Sequence, residues 1–257
     1  MIVAASTSCI PGESLAGIFD RLTDLEYTNT ELVIGEQGVI PPSQIADRHD
    51  SIVQLRRSSR RVVPVSVFFD VESPPDDKND PAYIEYIEQF TQACQLAKDC
   101  NIAVITIHAA TVPGTSFNGE IDRLNKLVKI GVYHGVVVGV ATEAGRFTNT
   151  PEDVVSLCKL VKGLGVTFDP SHYIYGLSKP KDYKTILPHV CHVRLRDTTQ
   201  EQFQTRIGQG SVDFGRLLDL LYNVDYRRAL CVDLAPFPNV DQPAELRKMR
   251  LLLESSL

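Results

Sequence analysis

Eight short runs rich in valine and isoleucine recur along the chain. They are IVAAST (2–7), ELVI (31–34), VVPVSVFF (62–69), IAVITIHA (102–109), GVVVGVATE (135–143), VTFD (166–169), HVCHVRLRD (189–197) and ALCVDL (229–234). All but the sixth precede a clear segment of helical period, such as SLAGIFDRLTDL, PAYIEYIEQFTQACQLAKDC or VDFGRLLDLLYN; the sixth has a weaker follow-up containing Pro and Tyr. This repetition limits the fold more than any other feature. Nearly continuous apolar strands are buried on both faces, as in a parallel sheet covered by helices. Eight strand-then-helix units in 257 residues match the size of a single-domain (β/α)8 TIM barrel spanning 1–257. An open doubly wound sheet is the alternative, but no G-x-G-x-x-G follows the first strand.

Composition excludes several classes of function. A formal net charge of -6 argues against a nucleic-acid surface. No apolar run approaches a membrane span, and MIVAASTSCI lacks a basic n-region, so a cytoplasmic protein without a membrane partner is expected. The six cysteines lack C-x-x-C spacing and mostly sit in apolar runs, which predicts reduced core residues.

In such barrels function sits at the C-terminal ends of the strands. Those ends carry Ser6 to Cys9, Glu31 to Glu36, Phe69 to Glu72, His108, Glu143, Asp169 with His172, His192 to Asp197, and Asp233. Buried ionisable groups cost several kcal/mol unless paired or bound, so polar groups at nearly every strand end point to a site. Each also has a plainer reading: Glu143 as a helix-entry residue, Asp-Pro-Ser as turn chemistry, His108 as a hydrogen-bonded core histidine. In VCHVRLRD, alternation puts His192, Arg194 and Arg196 on one face. Carboxylates with histidine suit Mn, Mg, Co or Zn as a divalent metal with open positions for substrate.

VATEAG, VTFDPSH, HVRLRD with IGQGSVDFGRLLDLL, and YRRALCVDLAP resemble the strand-end motifs of the xylose isomerase-like TIM barrels, sugar isomerases and epimerases related to endonuclease IV. The resemblance runs over nearly the whole chain and is clearest in its C-terminal half. It implies an isomerase or epimerase acting on a small carbohydrate-like substrate, with a divalent metal held by Glu143, Asp169, a histidine and Asp233. It implies acid–base roles for Glu143 and Asp233 and a contact to substrate from His172; His108, Arg194, Arg196 and Arg206 are further candidates for substrate contact on the active rim. The chain departs from the family at the third ligand, where Arg194 stands in place of histidine. His192 lies two residues earlier on the same face, so it is the histidine left to complete the metal set. Arginine stays protonated and cannot ligate a cation.

Two readings follow: His192 reaches a displaced metal, or Arg194 replaces the metal and balances the carboxylates. In the second, the barrel is a metal-free lyase or isomerase on an anionic sugar-like ligand, or only binds it. A homo-oligomer is compatible with either. Elsewhere, RRSSRR (56–61) reads as a solvated turn on the opposite rim, VESPPDDKND (71–80) as an acidic loop on the active rim, and GQG (208–210) as a weak phosphate-loop candidate.

Overall fold

A computed structural model describes residues 1–58, 61–112, 114–237 and 239–257. Eight parallel strands close into a barrel in sequence order: β1 (Ile2–Ser6), β2 (Asn29–Gly35), β3 (Val63–Asp70), β4 (Val104–Ile107), β5 (Val137–Ala141), β6 (Gly165–Phe168), β7 (Val190–Leu195) and β8 (Ala229–Val232). Among the described residues seven α-helices surround them: α1 (Leu15–Asp24), α2 (Ile45–Ser58), α3 (Pro81–Asp99), α4 (Phe117–His134), α5 (Pro151–Leu160), α6 (Phe214–Asn223) and α7 (Gln242–Glu254). The Pro- and Tyr-containing segment after β6 folds as two 3-10 turns instead of an α-helix. The expected (β/α)8 barrel is therefore present, one helix short.

Local chemistry sets the helix starts. Ser14, Asp80, Ser116, Thr150, Asp213 and Asp241 each cap a helix N-terminus through a side-chain oxygen, satisfying donors that lack intrahelical partners. Thr150 caps α5 and Pro151 occupies its first turn, where its fixed φ suits a helix start. The helix stops at Leu160, before Gly163, which takes a left-handed φ of 90° in the following turn.

Alternation along each strand divides the molecule into two layers. Leu32, Ile34, Val67, Phe69, Ile105, Ile107, Val138, Val140, Val193, Leu195, Leu230 and Val232 join one apolar core between strands and helices. The opposite parity fills the barrel, and here it is polar: Glu31, Ser66, Thr106, Thr167 and His192 are all buried, with Cys231 beside them. Thr106 and Thr167 share a hydroxyl hydrogen bond of 2.7 Å across it. All six cysteines are free and buried, as expected. Among the described residues no helix is long and apolar enough to cross a membrane. Of RRSSRR, Arg56 and Arg57 lie in the last turn of α2; residues 59 and 60 fall outside the described residues.

Candidate functional site

The inward parity of β7 and β8 continues to the C-terminal rim and delivers Arg194, Arg196 and Asp233 to the barrel mouth. Arg194 Nη2 lies 3.1 Å from Asp233 Oδ1, and its Nε lies 3.0 Å from Glu31 Oε1. Arg196 Nη2 contacts Asp233 Oδ2 and lies 3.2 Å from Asp169 Oδ2. Ser8 donates to Asp233 Oδ1 at 2.9 Å. Each guanidinium also rests on an aromatic ring: Arg194 over Phe68 at 4.2 Å and Arg196 over Phe203 at 4.6 Å. Burial opposes ionisation of Asp233, yet the two arginines outweigh it and hold the carboxyl down at about 2. Glu31, wholly buried, is likewise held below the usual carboxylate range by Arg194 and His192 against its desolvation. Arg196 Nε is buried without a hydrogen-bond partner among the described residues.

A second network occupies the ends of β3, β4 and β5. His108 Nδ1 is 2.7 Å from Glu143 Oε2, and its Nε2 is 2.8 Å from Asp70 Oδ1. Arg146 Nε lies 3.0 Å from Glu143 Oε2, and the same guanidinium donates to Glu72 at 2.9 Å and to the Ala109 carbonyl at 2.9 Å. Burial disfavours the His108 imidazolium, but Asp70 and Glu143 overcome it and push the group up to about 9. His172 behaves oppositely. Its burial dominates and lowers it from the ordinary histidine value, although Asp169 lies 4.0 Å away. It packs against Phe203 at 4.8 Å.

The residues singled out in the sequence thus fall into distinct groups. Asp169, Asp233, Arg194 and Arg196 form one ion-pair chain. Glu143 and His108 belong to the second network. His192 sits deeper, its Nε2 2.8 Å from Glu31. Arg206 is exposed beside Gln204, Phe237 and Glu245 in a small cleft next to the β7–α6 loop, with no ion pair to the rim carboxylates among the described residues. The glycines of GQG serve the chain itself: Gly208 and Gly210 donate to Asp197 Oδ2 at 2.8 and 3.0 Å, and a Cβ at Gly210 would meet Asp197 at 1.8 Å. Of the 71–80 loop, Asp76 accepts from Ser116 at the start of α4 and Asp80 caps α3.

The ligand reading of the sequence leaves out Glu31, Asp70 and Arg146. Glu31 and Asp70 have a signal, an acid inside or ending an apolar strand on the inward parity. Arg146 has none, because a loop arginine reads as solvated.

A conventional metal centre on Glu143, Asp169, Arg194 and Asp233 does not fit this donor set. Arginine fills the third position, both oxygens of Asp233 are taken by guanidiniums, and Asp169 Oδ1 accepts from the Ser171 backbone at 2.9 Å while its Oδ2 faces Arg196. A cation placed there would meet two fixed positive charges. One other donor group exists among the described residues: single ligand atoms of Glu31, His192 and Cys231 lie within 4.8 Å of one another.

Beside Asp70 the rim opens into a cleft of about 610 Å3, lined in part by Ser8, Ile10, Gln37, Val39 and Arg48. That volume lies within the range of small-molecule sites, about 300–1,000 Å3. Gly35, paired with Asp70 across β2 and β3, permits the close approach here, since a Cβ would sit 2.8 Å from the Asp70 carbonyl oxygen.

The sequence profile of the xylose isomerase-like TIM barrel family matches residues 19–253. No curated protein sequence matches significantly. Among solved structures, a D-tagatose 3-epimerase-like protein is 19% identical, with a TM-score of 0.76 over 100% of this chain and 98% of that one. The 3-keto-D-glucoside 4-epimerase of E. coli is 14% identical, with a TM-score of 0.78 over 99% of each chain. A xylose isomerase-like TIM barrel protein from Mycobacterium smegmatis, solved in complex with magnesium, is 13% identical, with a TM-score of 0.72 over 100% and 98%. At these identities the likeness speaks for the fold.

Proposed function

Because the chain belongs to the xylose isomerase-like TIM barrel family, we propose that it isomerises or epimerises a small, neutral, carbohydrate-like substrate by moving a proton between adjacent carbons. In this reading Arg194 and Arg196 supply the positive charge at the rim. The observation that carries it is the pair of guanidiniums spanning Glu31, Asp233 and Asp169, at the strand ends where the resemblance implies metal ligands. The epimerases among the structural neighbours support the class of reaction.

Glu143 takes the proton from the carbon beside the substrate carbonyl. The electron pair moves to the carbonyl oxygen, and the arginines stabilise the resulting enediolate. His108, held between Asp70 and Glu143, keeps a proton available at neutral pH. It delivers that proton either to the opposite face of the same carbon, giving the epimer, or to the neighbouring carbon while the hydroxyl proton passes between the two oxygens, giving the isomer. The proton on Glu143 then returns to His108 across their 2.7 Å contact. Asp233 is assigned the part of counter-ion instead of the acid–base role the resemblance implies. A carboxyl held at about 2 is a weak base and carries no proton to give near neutrality. Asp169 likewise anchors Arg196, and His172, packed on Phe203 with Nδ1 accepting from the Ala144 N–H, would donate its Nε2–H to a substrate oxygen.

Charge argues for a neutral substrate over an anionic one. The arginine network sets three carboxylates against two guanidiniums, and the histidine network sets Asp70, Glu143 and Glu72 against His108 and Arg146. Neither has surplus positive charge for a phosphate or sugar acid.

The test is solvent exchange in D2O with chelator-treated protein and a panel of ketoses and inososes. Deuterium entering beside the carbonyl of one member, insensitive to chelator and abolished by Glu143→Gln, supports the reading. Exchange that requires added manganese and is lost in Asp169→Asn contradicts it, as does inertness toward the whole panel.

A further inference from the structure

One strand repeat below the rim, roughly 6–7 Å by strand geometry, the barrel interior holds a second group of donors that the proposed chemistry leaves unused. Cys231 stands two residues before Asp233, and His192 two residues before Arg194. Glu31 completes the group from β2. Glu31 and Cys231 are wholly buried and His192 nearly so. Ser66, paired with Glu31 across β2 and β3, is buried beside them.

The spacing of these atoms is informative. Ser66 Oγ lies 3.3 Å from Glu31 Oε2 and 3.2 Å from His192 Nε2; Cys231 Sγ lies 3.7 Å from Glu31 Oε1, and Glu31 Oε2 lies 2.8 Å from His192 Nε2. A tetrahedral zinc with bonds of about 2.0–2.3 Å requires ligand atoms roughly 3.3–3.7 Å apart. With Glu31 Oε2 as the ligand atom, both Ser66 separations already fall near that range, and the Glu31–His192 separation opens when their hydrogen bond is exchanged for two metal bonds. The donor atoms of Glu31, His192 and Cys231 all lie within 4.8 Å of one another.

We infer that Glu31, His192 and Cys231, with the Ser66 hydroxyl as fourth donor, form a binding site for a borderline-soft divalent cation such as Zn2+ or Co2+. The site is separate from the arginine-filled rim. Mixed oxygen, nitrogen and sulfur donors select such ions over Mg2+ and Ca2+.

Charge balance favours the assignment. On binding, the Cys231 thiol loses its proton to solvent, and thiolate plus the Glu31 carboxylate neutralise the divalent ion. Arg194 stays on Glu31 Oε1, where it orients the ligating carboxylate, and remains balanced by Asp233. The ion would tie β2 to β7 and β8 across the seam where the last strand meets the first, a structural staple with no open position for substrate.

The test uses the full-length chain produced in cobalt-supplemented medium and passed through a chelating column. The expected result is about one cobalt per chain, with a thiolate-to-cobalt charge-transfer band and one sulfur ligand at about 2.3 Å by X-ray absorption. Cys231→Ser loses both ion and band, whereas Cys9→Ser, altering the buried thiol that bonds to Val232 and Leu234, keeps them. The X-ray absorption of the wild-type chain decides the matter even where a variant fails to fold. Cobalt at background, or a coordination shell without sulfur, overturns the assignment. So does a band that survives Cys231→Ser. Deuterium exchange by Cys231→Ser at the wild-type rate separates this staple from the rim chemistry; loss of exchange in that folded variant contradicts the separation.

Discussion

The two sides of the barrel mouth hold comparable sets of charges in different chemical forms. On the β7–β8 side the cations are Arg194 and Arg196, stacked on Phe68 and Phe203 and locked to Glu31, Asp169 and Asp233. On the β3–β5 side the central cation is His108, between Asp70 and Glu143. A guanidinium never gives up its proton in a protein, while an imidazolium pushed up to about 9 exchanges one readily. One side is therefore a fixed electrostatic wall and the other carries protons. Acid–base chemistry needs both, a mobile proton and a charge that stays in place while the substrate's charge develops.

The largest expected contrast is in turnover. Glu143→Gln should cut proton exchange by about 100- to 10,000-fold while far-ultraviolet circular dichroism stays native. Full exchange by Glu143→Gln, with loss of exchange in Asp233→Asn, would shift the proton-carrying role off the histidine side.

Next comes stability. Arg194→Met strips the counter-ion from Glu31, which is 0% exposed, and from Asp233. Breaking a buried pair in this way costs about 3–5 kcal/mol. In a urea titration Arg146→Met should cost less, since one of its two partners, Glu72, has a side chain 69% exposed and the other, Glu143, keeps His108 as a counter-ion. Equal losses would erase the distinction between the two sides.

The two sides should also fail at opposite ends of the pH scale. His108 is raised above its unfolded value of about 6.5. Its contribution, on the order of 3 kcal/mol, is complete below that pH and disappears as pH rises through about 9. Asp233 is depressed, so its contribution is complete above about 3.9 and disappears as pH falls through about 2. Chemical unfolding at pH 6.5 and 9.5 should therefore differ in the wild type and much less in His108→Gln. A variant that keeps the full alkaline loss would remove His108 from the account. The smallest effect is expected from Glu72→Gln, below about 1 kcal/mol, because exposed ion pairs are screened.

Much of the fold is legible in the chain. The eight apolar runs are eight strands, and the parity of VCHVRLRD correctly puts His192, Arg194 and Arg196 inside. The pairings among site residues are not legible, because they depend on the stagger of neighbouring strands. The β2–β3 register shifts between Thr30 and Glu31, and the β6–β7 register shifts between Val166 and Thr167. These irregularities set the heights of inward side chains, and no spacing along one strand encodes them. Glu31 illustrates the point. It begins the run ELVI and is grouped there with the rim residues, yet β2 starts two residues earlier and carries it into the interior beside His192. His192 is consequently spent on Glu31, and the rim position belongs to Arg194.

The account turns on whether arginine charge has displaced the rim metal. Manganese titrated into chelator-treated protein, followed by electron paramagnetic resonance, addresses this directly, since Mn2+ prefers oxygen donors and the deeper cysteine-containing cluster does not suit it. The free-ion signal should persist undiminished in the wild-type protein. Stoichiometric loss of that signal, restored by Asp169→Asn or Asp233→Asn, would contradict the account.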